Sequence, residues 1–212
     1  MFLITRPNHD NTTNYLFHWS KEIIKVAEDK GKKVIDLNKK KANRKKLETF
    51  LKKKNINFIM LNGHGDDDCV YGYKDELLIK SSENARLLDN KIIYCRSCNS
   101  GKKLGPDSII SGAKAFIGYK DVFIFIYDPN NAVRPLQDKY AKRFLEPDNT
   151  CVISILKGNP IIDAYNNSQS QYKKQIRDLM TSETDPEEAH VIPALFWNMN
   201  NHIWEGDCKT TY

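Results

Sequence analysis

The sequence predicts an α/β protein: three α/β/α layers around a mostly parallel central sheet of about six strands. Three observations carry that expectation. Short apolar runs alternate with stretches of helical period in the N-terminal part of the chain, which implies right-handed parallel crossovers with helices on both sheet faces. The run Ile56–Leu61 is largely apolar on both of its faces, as a central parallel strand is. Two of the runs end in glycine-bearing loops that carry a histidine and a thiol, where open α/β sheets gather their ligands.

Phe2–Thr5, with Pro7 behind it, reads as the first strand, so near the initiator methionine that no inhibitory N-terminal segment is expected. From an N-cap at Thr12 or Thr13, the positions Leu16, Trp19, Ile23, Ile24 and Ala27 keep a helical period until Gly31 stops it. Val34–Leu37 is the second strand. Between Lys39 and Lys54, Leu47, Phe50 and Leu51 recur at helical spacing among lysine- and arginine-rich clusters, as in an amphipathic helix with a solvated basic face. Ile56–Leu61 is the third strand, and residues 66–80 form a loop or small hairpin laid over the strand ends. A short helix at Glu83–Leu88 leads to a fourth strand at Lys91–Tyr94. The fifth spans Gly112–Tyr119, and a sixth, Val122–Tyr127, is closed by Asp128-Pro129. Helices follow at Leu136–Leu145, at Thr150–Leu156 and from Pro160 to Met180, with proline at the start of the last. The tail segments Ala194–Asn198 and His202–Trp204 are apolar enough to pack on the core.

With 212 residues the chain suits one domain covering 1–212, large enough to bury a substantial core. No apolar run approaches the roughly 18 residues that would span a bilayer, and the N-terminus lacks the layout of a signal peptide, so a cytoplasmic protein without a membrane partner is expected. Five cysteines, an odd number in a chain without a leader, point to free thiols rather than a disulfide framework. Much of the net charge of +6 lies in the Lys39–Lys54 region, where a solvated helix face accounts for it, and no nucleic-acid partner is expected.

The chemistry concentrates between Asn55 and Gly118. One strand runs into Asn62-Gly63-His64-Gly65 and the next into Cys95-Arg96-Ser97-Cys98-Asn99-Ser100-Gly101. An imidazole beside a thiol can accept its proton, and backbone N–H groups after a strand can stabilise an oxyanion. Glycines on both sides of His64 let the backbone bend and a substrate carbonyl approach. Cys95 falls inside the apolar run and reads as a core thiol. No second Cys-x-x-Cys and no Cys/His pair at metal-binding spacing accompanies Cys95 and Cys98, so neither a metal nor a cofactor is expected. A dithiol redox protein stays open, and it requires Cys95 to be exposed next to Cys98. The other histidines, His9, His18, His190 and His202, stand in no comparable context.

These segments, together with Ser111-Gly112-Ala113-Lys114-Ala115-Phe116-Ile117-Gly118, resemble the caspase-like cysteine peptidases. The resemblance is strongest to the CHAT branch, with metacaspases and gingipain- or clostripain-type peptidases as relatives. It is most specific over residues 55–120 and continues loosely through the helix opened by Gly158-Asn159-Pro160. It implies a caspase-like fold and a cysteine endopeptidase acting through a thioester acyl-enzyme. His64 would be general base or acid, Cys98 rather than Cys95 the nucleophile, and the N–H groups of Gly65 and Cys98 the oxyanion hole. The spacing from His64 to Cys98 is shorter than the roughly 50 residues of caspases, so the intervening loop is compact.

Relatives specific for arginine or lysine commonly carry an acidic residue two positions before the nucleophile, and this chain has Arg96 there. A guanidinium pairs bidentately with a carboxylate, so Arg96 in the S1 pocket would favour an acidic or polar P1 residue. Asp66, Asp67 and Asp68, beside the histidine, would receive a basic side chain or neutralise Arg96. The expected partners are a protein or peptide substrate and a regulatory protein. A catalytically silent binding or scaffold module on the same fold is the alternative to an enzyme.

Overall fold

A computed structural model describes residues 1–52, 55–181 and 184–212. Nine strands and seven α-helices occur among these residues: β1 (Phe2–Arg6), α1 (Asn11–Asp29), β2 (Val34–Asn38), α2 (Arg44–Leu51), β3 (Phe58–Asn62), β4 (Gly65–Asp66), β5 (Cys69–Tyr71), β6 (Leu77–Lys80), β7 (Ile92–Arg96), α3 (Leu104–Ile110), β8 (Ala115–Tyr119), α4 (Lys139–Leu156), α5 (Ile161–Leu179), α6 (Pro186–Ala189), α7 (Ile192–Asn201) and β9 (His202–Gly206). The main sheet has the order β2-β1-β3-β7-β8-β9, parallel throughout except for β9, which runs antiparallel to β8. The short strands β4, β5 and β6 form a separate antiparallel sheet within residues 65–80.

Alternation along the strands sorts their side chains into two cores. Leu3, Ile59, Leu61, Ile93, Cys95 and Phe116 face one side, where Leu47 and Leu51 of α2 and Leu104 of α3 cover them. Phe2, Ile4, Phe58, Met60, Ile92, Tyr94 and Ile117 face the other, under Ile23 and Ala27 of α1, Val152 and Ile155 of α4 and Ala164 of α5. Every residue of β1, β3, β7 and β8 is buried, and apart from Thr5, Arg6, Asn62 and Arg96 at their ends these segments are apolar. Among the described residues no helix is long and apolar enough to cross a membrane.

Several expected elements differ, among them the short helix expected at Glu83–Leu88, which is a 3₁₀ turn at Ala85–Leu88. Val122–Tyr127 is not a strand. Asn198 of α7 takes the place of a strand partner for it: its side-chain amide accepts from Ile124 N (2.9 Å) and donates to Ile124 O (2.5 Å). The aromatic rings of the segment pack on Tyr15 and Tyr119 instead of in the sheet. The sixth strand is β9, from the segment expected to be a packed tail. Finally, the separate helices expected around residues 136–156 are one helix, α4, which continues through Pro147. Proline removes one helical hydrogen bond, yet the helix is buried on both sides of it: Ala141 and Leu145 pack with Tyr15, Leu16 and Trp19, while Cys151, Val152 and Ile155 lie on the sheet core. The basic helix is the short α2, preceded by a 3₁₀ turn at Lys39–Lys41; Lys53 and Lys54, at the end of the expected helix, lie outside the described residues.

Candidate active site

The register of β3 against β7 pairs Asn62 with Arg96. His64 and Cys98 each follow their paired residue by two positions, so the imidazole and the thiol leave the sheet at the same level from neighbouring strands. Backbone contact holds the two loops together. Gly63 N donates to Arg96 O (3.4 Å), and a Cβ on Gly65 would lie 2.6 Å from the Cys98 carbonyl oxygen and 2.7 Å from Ser97 Cβ. Gly63 is the other position where only glycine fits, with φ +153° and a Cβ site 2.0 Å from the Tyr71 carbonyl oxygen. At the base of the loop the Asn62 side chain donates to Thr5 O (2.7 Å), tying β3 to β1.

The His64 ring is half-exposed, and its Nε2 lies 2.7 Å from Asp10 Oδ2. Asp10 is the N-cap of α1: its carboxylate accepts from Thr13 N (2.7 Å), and Thr13 closes the capping box by accepting from Asp10 N (3.1 Å). The helix start therefore lies before the expected Thr12 or Thr13, and the capping carboxylate reaches the histidine with its second oxygen. Partial burial works against the charge on Asp10, but the bonds from His64 and Thr13 prevail and hold its carboxyl below the usual range. The sequence signal was available, since aspartate followed three residues later by threonine before an apolar-periodic stretch is a helix-start pattern.

The Cys98 thiol is turned to the segment after β8. It is half-buried, Sγ donates to the Phe123 carbonyl at 4.0 Å, and the residue packs against the cluster that includes Tyr15, Tyr119 and Phe123. Burial pushes its thiol up, with backbone hydrogen bonds at Phe123 and Cys98 only partly offsetting it, which favours the thiol over the thiolate. Among the described residues no hydrogen bond joins His64 to Cys98. All five cysteines are free; Cys95 is fully buried, and burial raises its thiol far more than that of Cys98. A redox dithiol needs an exposed Cys95, which this arrangement does not provide.

Arg96 is not a substrate pocket residue in this arrangement. Its side chain is wholly buried and clamped by α4: Nε bonds to Asp148 Oδ2, and Nη2 donates to Asn149 Oδ1 (2.5 Å). Asp148 also accepts from the hydroxyls of Tyr94 (2.5 Å) and Tyr119 (2.8 Å), and Tyr119 shares a further bond with Tyr172 (3.0 Å). A guanidinium at the end of a buried strand needs a compensating charge, and α4 supplies it through Nε and Nη2, while Nη1 has no partner among the described residues.

Asp66, Asp67 and Asp68 build the tight turn between β4 and β5. Asp67 pairs with Lys102 (3.3 Å) and Asp68 with Lys80 (4.0 Å), while Asp66 accepts from Asp67 N (2.8 Å). The turn also braces the Cys98 loop, because Asp67 O accepts from both Lys103 N and Leu104 N. On the other side of His64 a groove is lined by Asn8, His9, Asp10, Asn11, Asn14 and Tyr73. Through Asn8 and Tyr73 it continues into a second groove walled by Lys39, Lys40 and Lys41.

No family model matches the chain, and no curated protein matches it. Solved structures do. It is similar to the Arg-specific cysteine proteinase gingipain R, with a TM-score of 0.65 at 10% identity, covering 99% of this chain and 46% of that one. The complex of Porphyromonas gingivalis RgpB pro- and mature domains gives 0.59 at 11%, covering 98% and 47%. A structure described only as a protease gives 0.54 at 13%, covering 99% and 48%. The chain thus spans a little under half the length of each of these proteins. In fold, with its six-stranded and mostly parallel sheet between helical layers, the chain is similar to the gingipain-type, caspase-like cysteine proteinases.

Proposed function

We propose that the chain is a cysteine-type endopeptidase working through His64 and Cys98, with Asp10 orienting the histidine. The observation that carries this reading is the Asn62–Arg96 register, which brings a histidine and a thiol to adjacent strand ends with Gly65 packed on the Cys98 backbone. In the reaction His64 takes the Cys98 proton and the thiolate attacks the scissile carbonyl carbon. The N–H groups of Gly65 and Cys98 receive the oxyanion. The imidazolium then returns its proton to the leaving amine, and a water deprotonated by His64 hydrolyses the thioester, releasing the acid and the free thiol. Asp10 keeps one ring nitrogen engaged so that the other is left for the thiol. Placement in the CHAT branch, a regulatory partner and a cytoplasmic setting rest on the motif residues and composition alone. An acidic or polar P1 preference no longer has Arg96 to support it, and the cations nearest the groove are Lys39, Lys40 and Lys41.

A second reading has its own observation. In the resting arrangement the thiol is turned to Phe123 and protonated, as in a silent module or an enzyme that must be opened before it acts. Incubation with peptide acyloxymethyl ketones, followed by mass spectrometry, separates the two. The peptidase reading expects modification at Cys98 that is lost in His64→Ala and in Cys98→Ala. Equal modification with and without His64, or none with any peptide sequence, leaves the silent module.

A further inference from the structure

From the residues around the far side of His64, we infer a binding site for a divalent transition metal of the zinc class, with His9, His64 and Asp75 as ligands. One ligand atom of each residue lies within 4.8 Å of those of the other two. The three come from the loop after β1, the loop after β3 and the 3₁₀ turn Tyr73–Asp75, so the fold assembles them although they are distant in sequence. Around a tetrahedral zinc with ligand bonds of roughly 2.0–2.1 Å, neighbouring donors stand about 3.3 Å apart. His9 Nε2 is 3.4 Å from Asp75 Oδ1 and 3.4 Å from Asp10 Oδ2. That spacing is long for a hydrogen bond and correct for two ligands of one ion.

His9 is the independent indication. Its side chain is only 9% exposed, yet Nε2 has no hydrogen-bond partner among the described residues, a costly state for a buried ring nitrogen that faces two carboxylates. Its other nitrogen, Nδ1, lies 3.5 Å from the Thr13 hydroxyl, the outer contact that commonly orients a ligating histidine. The rings of His9 and His64 meet edge to face with centroids 6.0 Å apart. Imidazole and carboxylate together suit zinc better than calcium or magnesium, which prefer all-oxygen shells. A water completes the shell as the fourth ligand. The expectation of no metal rested on cysteine spacing, which is blind to a site made of histidine and aspartate from three loops.

The site does not rest on the peptidase reading, although an ion there would withdraw His64 from any reaction with Cys98. Titration of the 212-residue chain with zinc at chelator-buffered concentrations, followed by calorimetry, tests it. The expected result is one ion per chain, an affinity lowered about tenfold or more in His9→Gln and in Asp75→Asn, and unchanged affinity in Cys98→Ala. Cobalt substituted for zinc should show tetrahedral ligand-field bands without thiolate charge transfer. Asp75 is largely exposed, so Asp75→Asn carries the test if His9→Gln fails to fold. No saturable binding, binding that survives both ligand substitutions, or binding lost in Cys98→Ala overturns the inference. Because calorimetry needs no turnover, a chain that binds zinc yet shows no labelling of Cys98 by peptide probes when metal-free would refute the peptidase reading alone.

Discussion

Arg96 at the end of β7 closes its guanidinium on the carboxylate of Asp148 in α4, and neither side chain reaches solvent. The pair fastens the strand that carries the Cys98 loop to a long helix on that face. Breaking one side of it strands the other charge in the interior. Arg96→Met should therefore lower unfolding free energy by roughly 3–5 kcal/mol in urea titrations. The double variant Arg96→Met/Asp148→Leu should recover most of that loss, since neither charge is then left buried alone. If Arg96→Met instead changed P1 preference at undiminished stability, the guanidinium would be a pocket residue after all.

The thiols should react in the order of their exposure. With iodoacetamide on the native chain, Cys69, Cys95 and Cys151 should stay unmodified until unfolding, while Cys208 reacts readily. Cys98 should lag behind Cys208 because it is packed under the Phe123 segment and its thiol is raised by burial. Asn198→Ala removes both bonds that hold Ile124. With each bond contributing about 0.5–1.5 kcal/mol, the modification rate at Cys98 should rise roughly tenfold. An unchanged rate would mean that the segment does not shield the thiol.

Asp10 has two duties that substitution can separate. An asparagine at this position would still cap α1, whereas an alanine would not, so Asp10→Ala should cost about 1 kcal/mol of stability and Asp10→Asn much less. Both variants remove the charge facing His64. In the proposed peptidase, both should slow acylation of Cys98 by a peptide probe on the order of 10²-fold, with little change in probe affinity. A rate that tracked stability alone would reduce Asp10 to a helix cap.

His202 gives stability a specific pH dependence. It is buried between Tyr119, on which it stacks at 4.9 Å, and Tyr165 at 5.2 Å, and burial pulls its pKa down to about 4, with Asp148 opposing. The unfolded chain takes up that proton near pH 6.5 and the folded chain only near pH 4. The contribution is therefore fully present above pH 6.5 and is lost as the pH falls toward 4, amounting to about 3 kcal/mol. His202→Phe preserves the stacking and should flatten this part of the profile relative to the wild type in denaturant titrations at pH 7.5, 5.5 and 4.5. A wild type and variant that fall in parallel would show that other groups dominate.

The central strands were legible because β1, β3, β7 and β8 are buried on both faces and leave uninterrupted apolar runs. β9 was not, since His-Ile-Trp-Glu-Gly mixes polar and apolar residues at an antiparallel position beside β8. Val122–Tyr127 has the composition of a strand for a different reason: its rings bury against Tyr15 and Tyr119, and its backbone is satisfied by side chains. The placement of His64 and Cys98 just past neighbouring strand ends was legible from the apolar runs before them. Arg96 misled because its partner lies far along the chain, just past a proline that reads as a helix break. His9 and Asp75 carried no local pattern at all, and only the folding of three loops toward one point brings them together.

The antiparallel β9 has a consequence during synthesis. All five residues of β8 are buried in the finished protein, and their outer edge is covered by His202–Gly206, which emerge from the ribosome long after Ala115–Tyr119. In the interval β8 is an unpaired, wholly apolar edge, the kind of template on which nascent chains aggregate. A chain interrupted between Tyr119 and His202 would carry both strands of the proposed dyad and still lack the one that makes its sheet safe to expose.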